Sequence, residues 1–311
     1  MLFGIYPGGA TGDDTGGLAT GAPDSPEHIS ALLDELQGPG RPFVVRAYTA
    51  FKDTGSTPTT PADAARYAVR GRRLDLVAQY QSEAGDVAGY CDFVRSLVER
   101  HGAVTATLQV TEEPNVTDNP VLDGWYPGVR EAITAGVVAA KSHARALGRD
   151  LAVGFNTTPL FGPASSFLAD LTAGDPAFAD ALDYVGLDFF PDVFRPLDGD
   201  LAEGVAGLLA HHRDLLRAAG LAHVPLHITE HGWPTGPDRS PQRQAEVVET
   251  VVRVVAEHAV RLNISGYTHF ALRDADSAKP GLFHNFGLTT DDHTPKPAFA
   301  TYRALIAELG G

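Results

Sequence analysis

Short apolar, β-branched runs alternate along this chain with longer segments in which apolar residues return every three to four positions. The runs fall at 3–5, 43–48, 74–79, 105–110, 152–156, 184–189, 226–229 and 266–271. Their brevity and near-continuous apolar character predict strands buried on both faces of a parallel sheet. Helical spacing is clearest over 86–101, where Val87, Tyr90, Cys91, Val94, Leu97 and Val98 share one face and Gly102 supplies a stop. Ser25-Pro26 and Ser240-Pro241 read as an N-cap followed by a first-turn proline. A valine-rich amphipathic helix is expected over 245–260, and a last one within "TPKPAFATYRALIAEL".

Repeated strand–helix units predict an α/β fold with a parallel sheet. About eight units in 311 residues predict a single (β/α)8 TIM barrel, one domain over 1–311. The competing topology is an open, doubly wound sheet. Its dinucleotide fingerprint is missing: "YPGGATGDDTGG" after the first strand is glycine-rich but contains neither G-x-G-x-x-G nor a phosphate-loop lysine. In a barrel, chemistry sits at the C-terminal ends of the strands. The Asp-, Gly- and Pro-rich segment 273–293 follows the last strand and would lie on that face.

Composition narrows the function. A formal charge of −15 and a pI of about 5.1 argue against nucleic acid and against anionic membrane surfaces. The single cysteine, Cys91, rules out an intrachain disulfide and a cysteine zinc cluster. No apolar run is long enough for a membrane span. The start, "MLFGIYPGG", reads as a strand and not as a signal peptide, so the chain as given is expected in the cytoplasm, or secreted if a leader has been removed. Three glycosylation sequons, at Asn115, Asn156 and Asn263, carry little weight without a leader. No G-x-S-x-G elbow is present, which argues against an α/β-hydrolase.

The stretch "HITEHGWPT", 227–235, contains H-x-x-E-H, an inverted zinc-protease pattern. Chelation by that pattern needs a helix, where positions i and i+4 stack about 6 Å apart. On a strand they stand about 13 Å apart. Pro225 before the motif and Gly232 and Pro234 after it leave no room for a helix, so no metal is expected. Read as a strand, Leu226, Ile228 and Glu230 share a face, and Glu230 ends an apolar inward row where barrel enzymes place reactive groups. "TLQVTEEPN", 107–115, is a second strand ending in glutamate, with Thr107, Gln109, Thr111 and Glu113 on one face and Leu108, Val110 and Glu112 on the other. Two carboxylates at two strand ends suit glycoside hydrolysis, one protonating the leaving oxygen and one attacking the anomeric carbon.

"TEEPN" at the fourth strand resembles the Asn-Glu-Pro acid/base motif of clan A, the large clan of retaining TIM-barrel β-glycosidases, and "ITEHGWP" at the seventh resembles its nucleophile strand. "FVVRAY" at the second strand resembles the clan's arginine site at Arg46, and "YTHFALRDADS" and "FGLTTDDHTPKPAFATYRAL" resemble its last strand and closing helix. The resemblance spans nearly the whole chain. It implies a retaining hydrolase working without cofactor on a glycoside or oligosaccharide, with Glu113 as acid/base, Glu230 as nucleophile and Arg46 holding Glu230 ionised. Trp233, Trp125, Tyr126, Phe189 and Phe190 are candidate sugar platforms, and Asn156 and His269 candidate rim contacts.

Two departures stand out. Glu112 occupies the place of the clan's Asn, which donates a hydrogen bond to the sugar 2-hydroxyl; an ionised glutamate only accepts. The clan's tyrosine near the sixth strand, hydrogen-bonded to the nucleophile, is missing, since "YVGLDFFPDVF" offers Phe189 and Phe190 there. A non-catalytic carbohydrate-binding barrel with an impaired site is therefore the alternative.

Overall fold

Each apolar run becomes a strand because flanking helices cover its outer face and the barrel interior takes the other. A computed structural model describes residues 1–13 and 15–310. The barrel strands are β1 (Leu2–Tyr6), β2 (Phe43–Lys52), β3 (Arg72–Tyr80), β4 (Thr105–Val110), β5 (Ala152–Thr157), β6 (Tyr184–Asp188), β7 (Leu226–His231) and β8 (Ile264–Phe270). All neighbouring pairs are parallel. Pairing of Phe3 with both Phe43 and Tyr267 closes the sheet on itself. Closure leaves no open edge, so this is the TIM barrel that the alternation predicted.

Eight α-helices are formed among the described residues: α1 (Pro26–Gln37), α2 (Val87–His101), α3 (Val129–Ala146), α4 (Phe167–Thr172), α5 (Pro176–Ala181), α6 (Leu201–Ala218), α7 (Pro241–Leu262) and α8 (Pro297–Leu309). The predicted caps form: Ser25 and Ser240 accept from the backbone N–H of His28 and Arg243; Asp86, expected as the first helical residue, caps α2 instead by accepting from Gly89 N–H. The helical spacing is uneven, however. The β2-to-β3 crossover carries only a 3-10 turn, Ala64–Tyr67, because Pro58, Pro61 and two glycines interrupt it. The β5-to-β6 crossover carries two short helices in place of one.

The apolar core lies between barrel and helices, and Leu226 and Ile228 belong to it. The barrel interior is largely polar. His227 and Thr229 of β7 point inward, with Asp75, Thr107 and Thr268 around them. Small residues make this possible. A Cβ at Gly186 would stand 2.6 Å from the Thr229 hydroxyl, and one at Gly154 would stand 2.4 Å from the Tyr184 carbonyl. The expected inward row Leu226–Ile228–Glu230 is thus overturned. Its apolar members face the helices, and a register shift between Ile228 and Glu230 turns the glutamate inward. No helix among the described residues is long and apolar enough to cross a membrane.

Candidate active site

Arg46 of β2 is the centre of the site. It is fully buried and its guanidinium serves several acceptors at once. Nη1 donates to Asp75 Oδ2 at 2.9 Å. Nη2 donates to Gln109 Oε1 at 3.0 Å and to Glu112 Oε2 at 3.2 Å. Nε reaches Tyr48 Oη at 2.7 Å and Glu230 Oε1 at 3.3 Å. A planar fork suits such a set, where a lysine ammonium would not. A buried arginine also needs this much counter-charge to offset its desolvation.

Glu230, the penultimate residue of β7, lies beneath this fork. Besides Arg46, it accepts a hydrogen bond from the Tyr48 hydroxyl. The tyrosine that the sequence lacks near the sixth strand is therefore supplied from the second, two residues beyond Arg46 on the same strand face. Burial, and then the Asp188 charge, push the Glu230 carboxyl up to about 7, while Arg46 and Tyr48 pull it down.

The strand β4 ends at Val110, one residue before the alternation would need to continue. Thr111 and Glu113 take φ of 67° and 44°, the left-handed region that non-glycine residues rarely occupy. The predicted parity therefore fails there: Glu112 and Glu113 both reach the site, and with Asp188 they bring carboxylate oxygens within 4.8 Å of one another. Asp123, which sequence reasoning passed over, pins the turn. Its Oδ2 accepts from the backbone N–H of Tyr80 at 2.6 Å and of Glu112 at 2.8 Å. Asn156 is the penultimate residue of β5, next to the strand end where it was expected. Its Oδ1 accepts from the Glu113 backbone N–H at 2.9 Å, and its Nδ2 donates to Glu112 and Asp188.

Glu113 is half-buried, and its carboxyl makes no hydrogen bond or ion pair among the described residues. Burial, followed by the Asp188 and Glu230 charges, raises its proton affinity well above the ordinary glutamate range. The same causes raise Glu112, which Arg46 only partly offsets. The three carboxyls Glu112, Glu113 and Asp188 are spaced for a metal ion. Arg46 already occupies the cluster as its cation, and Gln109 Nε2 donates to Glu112 Oε2 at 2.6 Å. The donor set is that of a hydrogen-bonded acid cluster.

The aromatic expectations divide. Trp233 is buried beneath the Arg239 guanidinium, 4.7 Å from its ring centroid, and is no sugar platform. Phe189 packs outward against His231. His269 also faces outward, 5.2 Å from the Tyr302 ring of α8, so it does not line the site. A one-residue difference in facing decides this, since Thr268 and Phe270 take the inner positions. Phe190 stays with the site, edge-on to Phe270 and Phe286. Phe270, which the sequence reading missed, stacks on Tyr6, and Tyr6 packs edge-on against Tyr48, so these rings run up to Glu230. Trp125 is 53% exposed, just past the Glu112–Glu113 turn, while Tyr126 is tied to Pro120 by its hydroxyl. His227 stacks inside the barrel on Tyr184 at 4.4 Å, whereas His231 donates to or accepts from Tyr267 on the outer side. Opposite faces of one strand cannot chelate one zinc ion.

No protein-family model and no curated protein matches the chain. Solved structures do. A β-glucosidase from Exiguobacterium marinum superposes with a TM-score of 0.64 at 14% identity, over 91% of this chain and 86% of that one. A fungal β-1,4-galactanase gives 0.64 at 10% identity, over 98% and 99%. A family 17 β-1,3-glucanosyltransferase from Rhizomucor miehei gives 0.59 at 15%, over 96% of each chain. The barrel is the one that these glycoside-processing enzymes share. At such identities the likeness establishes the fold; the chemistry has to come from the side chains.

Proposed function

We propose that the protein is a retaining glycoside hydrolase that cleaves a β-glycosidic bond, with Glu230 as nucleophile and Glu113 as acid/base. The observation that carries this reading is the asymmetry of the two glutamates. Glu230 is held by a guanidinium and a phenolic hydroxyl, which both favour its anion. Glu113 has no such partner and stands beside other carboxyls, which favour its protonated form. Environments that push two acids apart assign their roles.

In the first step the Glu113 proton passes to the glycosidic oxygen as Glu230 attacks the anomeric carbon, and the aglycone leaves as an alcohol. In the second, Glu113 takes a proton from water, whose oxygen attacks the same carbon and releases Glu230. Phe270 and Phe190 offer apolar faces for the sugar. Carbohydrate is the substrate class; no cofactor enters either step.

The test is hydrolysis of a panel of aryl β-glycosides and β-linked oligosaccharides, with the product anomer read by NMR. Wild type should turn over at least one substrate with retention. Glu230→Gln should lose at least 10³-fold in kcat, the scale of removing a covalent nucleophile. Inversion of the anomer, or unchanged turnover in Glu230→Gln, would overturn the assignment.

A further inference from the structure

Aromatic rings lead from the buried glutamates to solvent without a break. Tyr48 donates to Glu230, and the Tyr6 ring lies 5.1 Å from that of Tyr48. Phe270 stands 5.2 Å from Tyr6, and Phe190 stands 6.3 Å from Phe270. Phe194 then packs edge-on against Phe190 at 5.6 Å, and Phe283 tilts against Phe194 at 5.9 Å. Phe190, Phe270 and Phe283 are half-buried, whereas Phe194 is 57% exposed. An exposed ring that continues a buried apolar row marks a surface that something covers.

The row also starts beside the acid. Phe190 stands two residues beyond Asp188, which brings a carboxyl oxygen within 4.8 Å of one of Glu113. A leaving group lies on that side, because its oxygen takes the Glu113 proton. Two features decide what the outer rings can hold. A phenyl ring carries neither hydroxyl nor N–H. The backbone around the rings is also occupied: the Phe190 carbonyl accepts from Val193 N–H, those of Asp192 and Val193 from the Arg239 guanidinium, and that of Phe283 from the Thr11 hydroxyl. A sugar placed there would give up water around its hydroxyls for few hydrogen bonds in return. A hydrocarbon group would lose nothing and bury its surface. The rings are held in advance, since Arg239, which grips their loop, is itself stacked over the buried Trp233 ring.

We propose that Phe190, Phe194 and Phe283 form a subsite for an apolar leaving group, so that the substrates are β-glycosides of alkyl or aryl alcohols and not β-linked oligosaccharides. The sugar sits inside, against Phe270, and the aglycone lies along the outer rings. The leaving-group role rests on the glycosidase reading; binding of an apolar glycoside along these rings does not.

Thio-linked glycosides, which resist cleavage, separate the two. Methyl, propyl and hexyl 1-thio-β-glycosides of glucose, galactose, mannose and xylose are titrated calorimetrically into wild type, beside thio-linked disaccharides of the same sugars. For at least one sugar, affinity should rise about 2-fold with each added methylene, as expected for a chain covered on one side only. Phe194→Ser should flatten the series, and Phe194→Leu should keep most of it; the exposure of Phe194 spares the fold. With O-linked alkyl glycosides kcat/KM should climb in the same way, because alkanols differ little in acidity and chain length acts through binding. A flat series in wild type, a disaccharide that binds more tightly than the hexyl glycoside, or an unchanged slope in Phe194→Ser overturns the subsite. Chain-length-dependent binding without hydrolysis of any glycoside would uphold the subsite and count against the glycosidase reading instead.

Discussion

Among single residues, Tyr48 changes the picture most. Its hydroxyl reaches the carboxylate that Arg46 also holds, so Glu230 is oriented by two donors from one strand. This hydrogen bond favours the ionised glutamate. Tyr48→Phe should therefore raise the Glu230 pKa above its value of about 7 and move the acid limb of kcat/KM to higher pH. A fall in kcat of roughly 10–10³-fold should accompany it, the range for removing one preorganised donor. An acid limb that stays in place would mean that Tyr48 only packs beside the site. At this scale the sequence singled out Glu113, Glu230, Arg46 and Asn156, which the structure brings together at one end of the barrel. It did not reveal Tyr48 or Asp123, although Tyr48 was within reach: on a strand, positions 46 and 48 share a face.

Among elements, the decisive features are two strand ends. A register shift before Glu230 and left-handed residues at Thr111 and Glu113 turn three carboxyls into one space. Strand alternation was legible, and all eight strands lie where the apolar runs predicted them. Which face pointed inward was not legible, because runs buried on both faces carry no contrast. Hence Leu226 and Ile228 were expected inside, and His269 at the substrate, whereas each packs against helices. The helical layer yields a prediction of its own. His212 on the buried face of α6 has no hydrogen-bond partner for either ring nitrogen among the described residues. Burial holds its pKa at about 3, against an ordinary 6.5. For a base depressed in the folded state, the unfolded chain gains protons first. Stability is intact above the ordinary value and is lost as pH falls towards the folded one. At pH 5 the loss is about 2 kcal/mol. His212→Leu should escape it, so its urea midpoint should gain on wild type between pH 8 and pH 5. An equal difference at the two pH values would refute the argument.

For the whole molecule, the closed barrel supplies rigidity around a centre that weakens it. The strand ends place acidic groups in a largely buried centre, and among the described residues one arginine, Arg46, is ion-paired with them. The folded state therefore holds protons that the unfolded chain would release at neutral pH. Glu113 is the clearest case, since no donor in the site stabilises its anion. A carboxyl whose folded pKa is raised contributes nothing adverse below the ordinary glutamate range, and stability declines as pH rises towards the folded value. Glutamine at that position titrates in neither state. Glu113→Gln should then melt several degrees above wild type at pH 7, with the difference closing near pH 4, while turnover of glycosides needing a protonated leaving group falls. Differential scanning calorimetry at the two pH values decides it. A variant that is no more stable at pH 7 than at pH 4, relative to wild type, would show that Glu113 is ionised in the resting protein, and the assignment of Glu113 as the acid would go with it.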